Sequence, residues 1–420
     1  MSGTNPPPPV NTGTSTTTAR VGVVGGGQLA QMLHQAAIGL GVDCVYLGAD
    51  PSDPVALAGG AFHLGSARPT PGELQTLAAQ VDVITFEHEL VDLATLTEME
   101  AAGTRFAPSP ATLARVIDKA EMRRATTEAS IAAPRWNVVR DPDALASAIE
   151  SRTGAGAGVV LKATTGGYDG RGVVLIPPAG SAAETTEQAL VAGERLAEHA
   201  PAVLVEDLVP LDAELAVVVV RDRHGAMCTY EPVLTVQADG QCREVRLPAG
   251  LDDTLIAEAR TIAERAAVAV DVVGLLAVEL FVSQGRLLLN ELAARPHNSG
   301  HLTIEAAATS QFENHLRAVA GLPLGPTGTV VDEATMVNLI GADDATDPRQ
   351  RIGDGLSVDP GAHLHLYAKQ VRPERKVGHV TVCATPPTRS SARASLGTET
   401  SARAWRVVEA LGASLIGRPS

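Results

Sequence analysis

Residues 162–173 read "KATTGGYDGRGV". A lysine closes the apolar run Val159-Val160-Leu161, and four of the last eight positions are glycine. The run reads as a buried strand and the sequel as a mobile loop, because a residue without Cβ leaves the backbone free. Lys162 stands at the loop entrance, with Tyr168, Asp169 and Arg171 threaded between Gly166, Gly167, Gly170 and Gly172. A flexible hairpin explains the glycines but not those three side chains. Backbone donors beside an ammonium suit phosphate groups. The P-loop pattern G-x-x-x-x-G-K-[ST] is absent, since here the lysine precedes the glycines.

A second site completes the chemistry. The runs "LLAVELFV" (275–282) and "RLLLNEL" (286–292) meet at "SQGR" (283–286) and read as adjacent antiparallel strands. A three-residue hairpin loop sets Glu279 directly opposite Glu291, both on one face. A two-residue Gln284-Gly285 turn sets Glu279 opposite Asn290 instead and sends Glu291 to the other face. Like charges opposed across strands repel unless a cation lies between them. The surroundings are too apolar for an exposed ribbon, which favours the first pairing and a magnesium ion, a metal held by one or two carboxylates plus substrate phosphates. Glycine loop, lysine and paired carboxylates together are what a nucleoside triphosphate requires.

Outward from these motifs, 420 residues argue for several domains. The formal charge of −15 is spread along the chain without a basic run, which argues against nucleic acid. Cys44, Cys228, Cys242 and Cys383 are far apart and form no C-x-x-C pair, so neither a zinc site nor a disulfide framework is expected. Residues 1–20 lack an apolar core and read as a disordered Pro/Thr-rich lead-in, not a signal peptide. The most apolar stretch, 266–282, is broken by Asp271, Gly274 and Glu279, so no membrane span is expected. Of 33 basic residues only Lys119, Lys162, Lys369 and Lys376 are lysine. Ammonium and guanidinium are not interchangeable, so the retained lysines point to particular tasks.

Four segments are expected. Residues 21–118 read as a parallel βαβ domain, with a helix over 72–79 and a strand over 81–87. Residues 119–330 follow, divided into a small α+β lobe (119–205) and a large lobe (206–330). The small lobe opens with a helix over 119–133, and the large lobe contains helices over 252–269 and 303–320. Residues 331–420 form a small β-rich domain with a terminal helix near 399–412 after the polar linker "TPPTRSS" (385–391).

One motif competes with this reading. Gly25-Gly26-Gly27-Gln28-Leu29-Ala30 fits G-x-G-x-x-A between strand and helix, with Asp50 downstream where a dinucleotide fingerprint has its acid. Physically, a helix N-terminus holds any close anion. Pro51 follows the acid directly. A tight turn requiring glycine is the third alternative.

The motifs "GGGQLAQM" (25–32), "TFEHE" (85–89), "GGYDGRG" (166–172), "VEDLV" (205–209) with Glu214, "AVELFV" (277–282), "NELAARPHNSGH" (290–301), "TSQFENHLRAV" (309–319), "LHLYAK" (364–369) and "RKVGHV" (375–380) carry a close resemblance. From about Val21 to Val382 the chain resembles the ATP-grasp superfamily and, within it, the 5-(carboxyamino)imidazole ribonucleotide synthases of purine biosynthesis. The resemblance implies an α/β ATP-grasp fold, with a Rossmann-like pre-ATP-grasp domain before it and a small β-rich domain after it. It also implies a cytoplasmic homodimer. The implied reaction joins ATP, bicarbonate and 5-aminoimidazole ribonucleotide into the N-carboxylated ribonucleotide, ADP and phosphate, through carboxyphosphate.

Residue by residue, the resemblance implies that Lys119 and Lys162 meet the ATP phosphates. Backbone groups of "VEDLV" (Glu206, Asp207, Leu208, Val209) read adenine, and Glu214 the ribose. Glu279 and Glu291 hold Mg2+ beside Asn290, and Arg295 stabilises the transferring group. Tyr168, Asp169 and Arg171 close over the intermediate and exclude water, with Asp169 accepting from the attacking amine. The ribonucleotide is implied to meet Gln28, Leu29, Glu87, Asn298, Lys369, Arg375 and Lys376; with Lys119 standing where the family commonly has arginine in a "QDR" or "QDK" segment, every lysine falls within a motif. His297 and His301 read as parts of a Pro-stiffened turn. Leu90, Ala368 and Gln237 depart from the family pattern; Ala368 replaces a common glycine and restricts the backbone before Lys369.

Three rivals remain. A formate-dependent glycinamide ribonucleotide transformylase shares the scaffold, but its loop is usually Ser-rich with "GKG" and its later motif "RPHD". A nicotinamide dehydrogenase explains "GGGQLA" and Asp50 and leaves Glu279 and Glu291 idle. A catalytically silent ATP-binding module leaves the complete residue set unexplained.

Overall fold

The computed structural model describes residues 18–154, 156–166, 172–342, 346–384 and 396–419. The lead-in to residue 17, the linker 385–391 and the loop positions Gly167, Tyr168, Asp169, Gly170 and Arg171 lie outside the described residues.

The first unit is a four-stranded parallel sheet in the order Ala61–Leu64, Cys44–Gly48, Val21–Val24, Val83–Phe86. Val21–Val24 is buried at every position, as a central parallel strand covered on both faces must be. The helix Gln28–Leu40 follows this strand and ends at Gly41 in the left-handed region, φ 65°, where glycine carries no Cβ penalty.

The next sheet is antiparallel, in the order Trp136–Val139, Val203–Asp207, Val159–Ala163, Val173–Ile176. The helices Pro142–Thr153 and Ala182–Ala197 pack on it over a core that includes Leu145, Ile149, Leu161, Ala189 and Val205. This sheet delivers Lys162 to the site.

The third sheet has nine strands and runs unbroken past residue 330. Its order begins Arg286–Ala293, Gly274–Ser283, Ala213–Arg221, Val233–Ala238, Gln241–Leu247 and continues Glu333–Ile340, Lys376–Ala384, Ala362–Leu366. A hydrophobic cluster crosses the expected division near 330 as the sheet does, joining Ala216, Val233 and Val245 to Ala334 and Met336. A distinct cluster of Val337, Leu339, Val380, Trp405 and Val408 lies under the last helix, Leu396–Ala410. Trp405 Nε1 donates to Glu244 Oε2 at 2.8 Å, fixing that helix to a large-lobe strand.

Some element boundaries differ from expectation for local reasons. The helix expected over 119–133 stops at Glu128, and Ser130 turns into the left-handed region at φ 57°. The helix expected over 303–320 is two pieces, Thr303–Ala306 and Gln311–Ala320. Ser310 between them accepts from the backbone N–H of Glu313, an N-cap that starts a new helix.

His315, on that second helix, rivets the first sheet to the third. Its Nδ1 accepts from the Leu275 N–H at 3.2 Å, which places the ring proton on Nε2, 2.8 Å from Thr85 Oγ1. Burial pushes this imidazole down to about 4. Between its ordinary value of about 6.5 and 4, the unfolded chain takes up a proton that the native chain refuses, so stability falls as pH falls. From pH 7 to 5 the expected loss from His315 is about 2 kcal/mol. His315→Gln should lower stability at pH 7 but show a shallower fall, read from denaturant unfolding at both pH values. Equal pH slopes for the two proteins would refute the assignment.

Candidate active site

Glu279 and Glu291 are the centre from which the site is built. They stand opposite each other in the pairing of Gly274–Ser283 with Arg286–Ala293. The expected pairing is present, but the expected three-residue loop is not. Ser283 pairs with Arg286 across a two-residue turn, with Gln284 at φ 51° and Gly285 at φ 71°, the geometry favoured by twisted hairpins. A bulge at Asn290 then shifts the register by one, between Glu279 and Leu280. A bulge inserts an extra residue and re-aims side chains. Here two consecutive residues serve the site: Asn290 contacts Lys162 and Glu279, while Glu291 pairs with Lys119.

The electrostatics of the two carboxylates differ. Burial, reinforced by the negative charges of Glu291 and Glu214, pushes the Glu279 carboxyl up to about 7. Burial opposes ionisation of Glu291 too, yet Lys119, Lys162 and Arg123 together hold it below the usual carboxylate range. One oxygen-rich face thus carries one carboxylate held ionised by its cations and one whose burial and acidic neighbours outweigh the pull of Lys162. Such a pair fits a divalent cation, whose presence would remove the repulsion.

Lys162 and Lys119 arrive from different elements. Lys162 lies near the end of Val159–Ala163 and donates to Glu206 Oε2 at 2.8 Å and to Asn290 Oδ1 at 3.1 Å. Lys119 is the first residue of the helix Lys119–Glu128, where the Asp118 side chain caps the backbone N–H groups of Ala120 and Glu121. Its own N–H donates to Thr164 O at 2.8 Å, holding the helix start against the strand end. Gly166 and Gly172, at φ 81° and 76°, flank the undescribed loop tip in a conformation that favours glycine.

The "VEDLV" segment leaves its side chains occupied. Glu206 is 1% exposed and paired with Arg123 and Lys162. Burial works against its charge, but those two cations hold it below the ordinary range. Asp207 pairs with Arg135 and Arg152. Backbone groups from Glu206 to Val209, with the half-buried Leu208 and Val209, are what this segment offers a base. Glu214, raised by burial and hydrogen-bonded to Gln237, lies close enough to Glu279 to raise it.

The helix N-terminus at Gly27 is already filled. Glu87 Oε1 accepts from the Gly27 N–H at 2.5 Å and Oε2 from the Ala30 N–H at 2.9 Å. A carboxylate therefore sits where the fingerprint reading wanted a pyrophosphate. Asp50 is exposed and turned onto Ser52. Leu29 is buried in the core of the first unit, so a ligand meets its backbone and not its side chain. Gln28 reaches the other way and accepts from Lys369 Nζ.

The remaining expected residues lie on other elements, each with local partners. Lys369 lies 6.0 Å from the Tyr367 ring centre, and the preceding Ala368 is held at φ 53°, a conformation for which glycine is the less strained choice. Lys376 begins the strand Lys376–Ala384, and Arg375 donates to Gln370 O at 3.2 Å. Asn298 and Asn338 exchange amide hydrogen bonds at 2.9 and 2.7 Å. Arg295 faces Glu89 at 3.3 Å. His297, read as a turn residue, does cap the turn Asn298–Gly300, and its Nε2 also lies 3.5 Å from Glu279 Oε1. Arg123, Asn338 and the approach of His297 to Glu279 escaped the sequence reading. The signal for Arg123 was its place one turn after Lys119 on the same helix face.

Family models match three successive parts of the chain: the ribonucleotide synthetase preATP-grasp domain over 18–117, the ATP-grasp domain over 124–312, and the phosphoribosylaminoimidazole carboxylase C-terminal domain over 334–393. The N5-carboxyaminoimidazole ribonucleotide synthase of Mycobacterium tuberculosis is 42% identical over 382 residues, 90% of this chain and 86% of the relative. The crystal structure of the synthetase from Thermus thermophilus is 34% identical and aligns with a TM-score of 0.78, covering 92% of this chain and 98% of that one. The synthase from Aspergillus clavatus, solved with ADP and 5-aminoimidazole ribonucleotide, is 29% identical and aligns with a TM-score of 0.80, covering 94% and 99%.

Proposed function

We infer that this chain, which belongs to the N5-carboxyaminoimidazole ribonucleotide synthase family of ATP-grasp enzymes, uses ATP to carboxylate 5-aminoimidazole ribonucleotide on its exocyclic amine. The observation that carries the reading is the bulged hairpin with opposed Glu279 and Glu291, faced by Lys162 and Lys119 from two other elements. Bicarbonate as the carbon source, carboxyphosphate as the intermediate and a cytoplasmic homodimer belong to the same reading.

In this mechanism Lys162 and Lys119 bind the phosphates, and the backbone of Glu206–Val209 orients the base. Glu279 and Glu291, with Asn290 beside them, would hold Mg2+, which supplies charge neutralisation on the transferring phosphoryl group when bound. Lys119, paired here with Glu291, has further ammonium donors to offer a phosphate. Arg295 stabilises the anionic intermediate, and the 167–171 segment, with Tyr168, Asp169 and Arg171, excludes water while Asp169 accepts a hydrogen bond from the amine. Gln28, Asn298, Lys369, Arg375 and Lys376 hold the ribonucleotide, the cations serving its phosphate.

The filled helix N-terminus at Gly27 weighs against a nicotinamide dehydrogenase, and the carboxylate–lysine arrangement against a silent module. ADP release is measured with Mg2+ and ATP, with and without the ribonucleotide, in bicarbonate-depleted and bicarbonate-supplied buffer. Ribonucleotide-stimulated release with bicarbonate-dependent carboxylated product is expected. No stimulation at any bicarbonate level would refute the acceptor, and formate-dependent ADP release with glycinamide ribonucleotide in place of the aminoimidazole would assign the transformylase instead.

A further inference from the structure

Arg123 has no role in the reading above, yet its position is unusual. The guanidinium is fully buried, and an arginine is rarely buried without a paired acceptor. Its Nε donates to Glu206 Oε1 at 2.7 Å, and Nη2 lies 2.6 Å from the same oxygen. Nη2 also donates to the backbone carbonyl of Asn290 at 2.9 Å. One planar group thereby joins the helix that begins at Lys119, the edge of the nucleotide segment and the bulge between the metal carboxylates.

The charges explain what this accomplishes. Glu206 offers Oε1 to Arg123 and Oε2 to Lys162. Were Lys162 its only partner, the lysine would be the obligatory counter-ion of a buried carboxylate and could not be drawn to phosphate without leaving that charge unpaired. With Arg123 in place the Glu206–Arg123 pair is neutral on its own, and the charge of Lys162 is in excess. Across the cluster, Arg123, Lys119 and Lys162 face Glu206 and Glu291, with Glu279, bridged to Lys162 through Asn290, as the third acid of the site. The second contact acts on geometry. The Asn290 carbonyl belongs to the extra residue of the bulge, where the ladder is locally disrupted, and Arg123 supplies it with a donor.

We propose that Arg123 is a positioning residue for the ATP-dependent step: it neutralises Glu206 so that Lys162 stays available to phosphate, and it clamps the bulge that sets Glu279, Asn290 and Glu291 on one face. A lysine can replace the charge but not the two-armed geometry.

The inference rests on Lys162 as a phosphate ligand, which Lys162→Met tests separately. ATP affinity is measured by calorimetry on the full chain with Mg2+, and kcat and KM by ADP release. Arg123→Met should weaken ATP binding at least tenfold, because Lys162 is then held by Glu206. Adding Glu206→Gln to that variant removes the captor and should restore at least threefold of the loss. Loss of packing alone would make the double variant no better than the single one, and that result would overturn the proposal. So would ATP affinity within twofold of wild type in folded Arg123→Met. If Arg123→Met fails to fold, Arg123→Lys decides: KM for ATP within threefold with kcat down at least tenfold is expected, and an unchanged kcat would overturn the clamp. Unaltered ATP binding in Lys162→Met would refute the phosphate reading and this inference with it, whereas loss there with none in Arg123→Met refutes this inference alone.

Discussion

Glu279→Gln is expected to lose ATP turnover by ~10³-fold or more while leaving the metal-free protein at least as stable as wild type. The two effects separate because the native carboxyl is already disfavoured in its charged form. Burial and the neighbouring Glu291 and Glu214 raise it to about 7. A glutamate raised in the native state binds a proton more tightly there than in the unfolded chain. Its charge therefore costs stability above pH 7, and the cost disappears as pH falls toward the unfolded value near 4.3. Glutamine resembles the protonated form and can still accept from Asn290 Nδ2, which lies 3.1 Å from Oε2. At pH 8 the expected gain is on the order of 1–3 kcal/mol, at the lower end because the side chain retains 29% exposure. Glu291→Gln should lose turnover equally but also lose stability, since it takes away the acceptor of the buried Lys119. Thermal unfolding at pH 8 without metal, beside ADP-release assays, measures both. A destabilised Glu279→Gln with full turnover would show that the pair is structural.

That contrast also shows which parts of the molecule were legible in the sequence. The strand Val21–Val24 and the strand carrying Lys162 are announced by apolar runs, the first ending directly in glycine and the second in Lys162 shortly before the glycine-rich loop. The facing of Glu279 and Glu291 was anticipated through a loop length that the chain does not use. The turn is the short one, and the missing residue of register is supplied at Asn290. A bulge has no compositional signature comparable to an Asn-Gly turn, because it answers to what packs on the strand. Here Arg123 packs on it, from 167 positions away. The strands Val233–Ala238 and Gln241–Leu247 were likewise passed over, since their alternating polar residues resemble a solvated loop until Glu333–Ile340 is seen beside them. The continuity of the nine-stranded sheet follows from that pairing, which no local pattern records.

Gly25→Ala should be among the most damaging single-methyl additions available in this chain, and its consequences distinguish the two readings of "GGGQLAQM". Gly25 has φ 119°, outside the range of ordinary residues, and a Cβ there would stand 2.1 Å from Glu87 Cγ. Neither partner can yield cheaply. The backbone is fixed by the hydrogen bond from its N–H to Leu47 O at 2.8 Å. Glu87 is fixed by its bonds to the Gly27 and Ala30 N–H groups, where its charge also complements the helix dipole. Expelling the carboxylate leaves those donors unsatisfied, so backbone strain and lost capping together should cost about 3 kcal/mol or more. The damage should spread to substrate binding, because Gln28, at the start of the same helix, is the partner of Lys369. A raised KM for the ribonucleotide is expected in whatever fraction folds. A dinucleotide turn predicts otherwise: its glycines make room for a ligand phosphate, and alanine would then weaken cofactor binding in a protein of ordinary stability. Denaturant unfolding of Gly25→Ala therefore separates the cases. A midpoint equal to that of wild type would mean that Glu87 is not the group for which this turn was shaped.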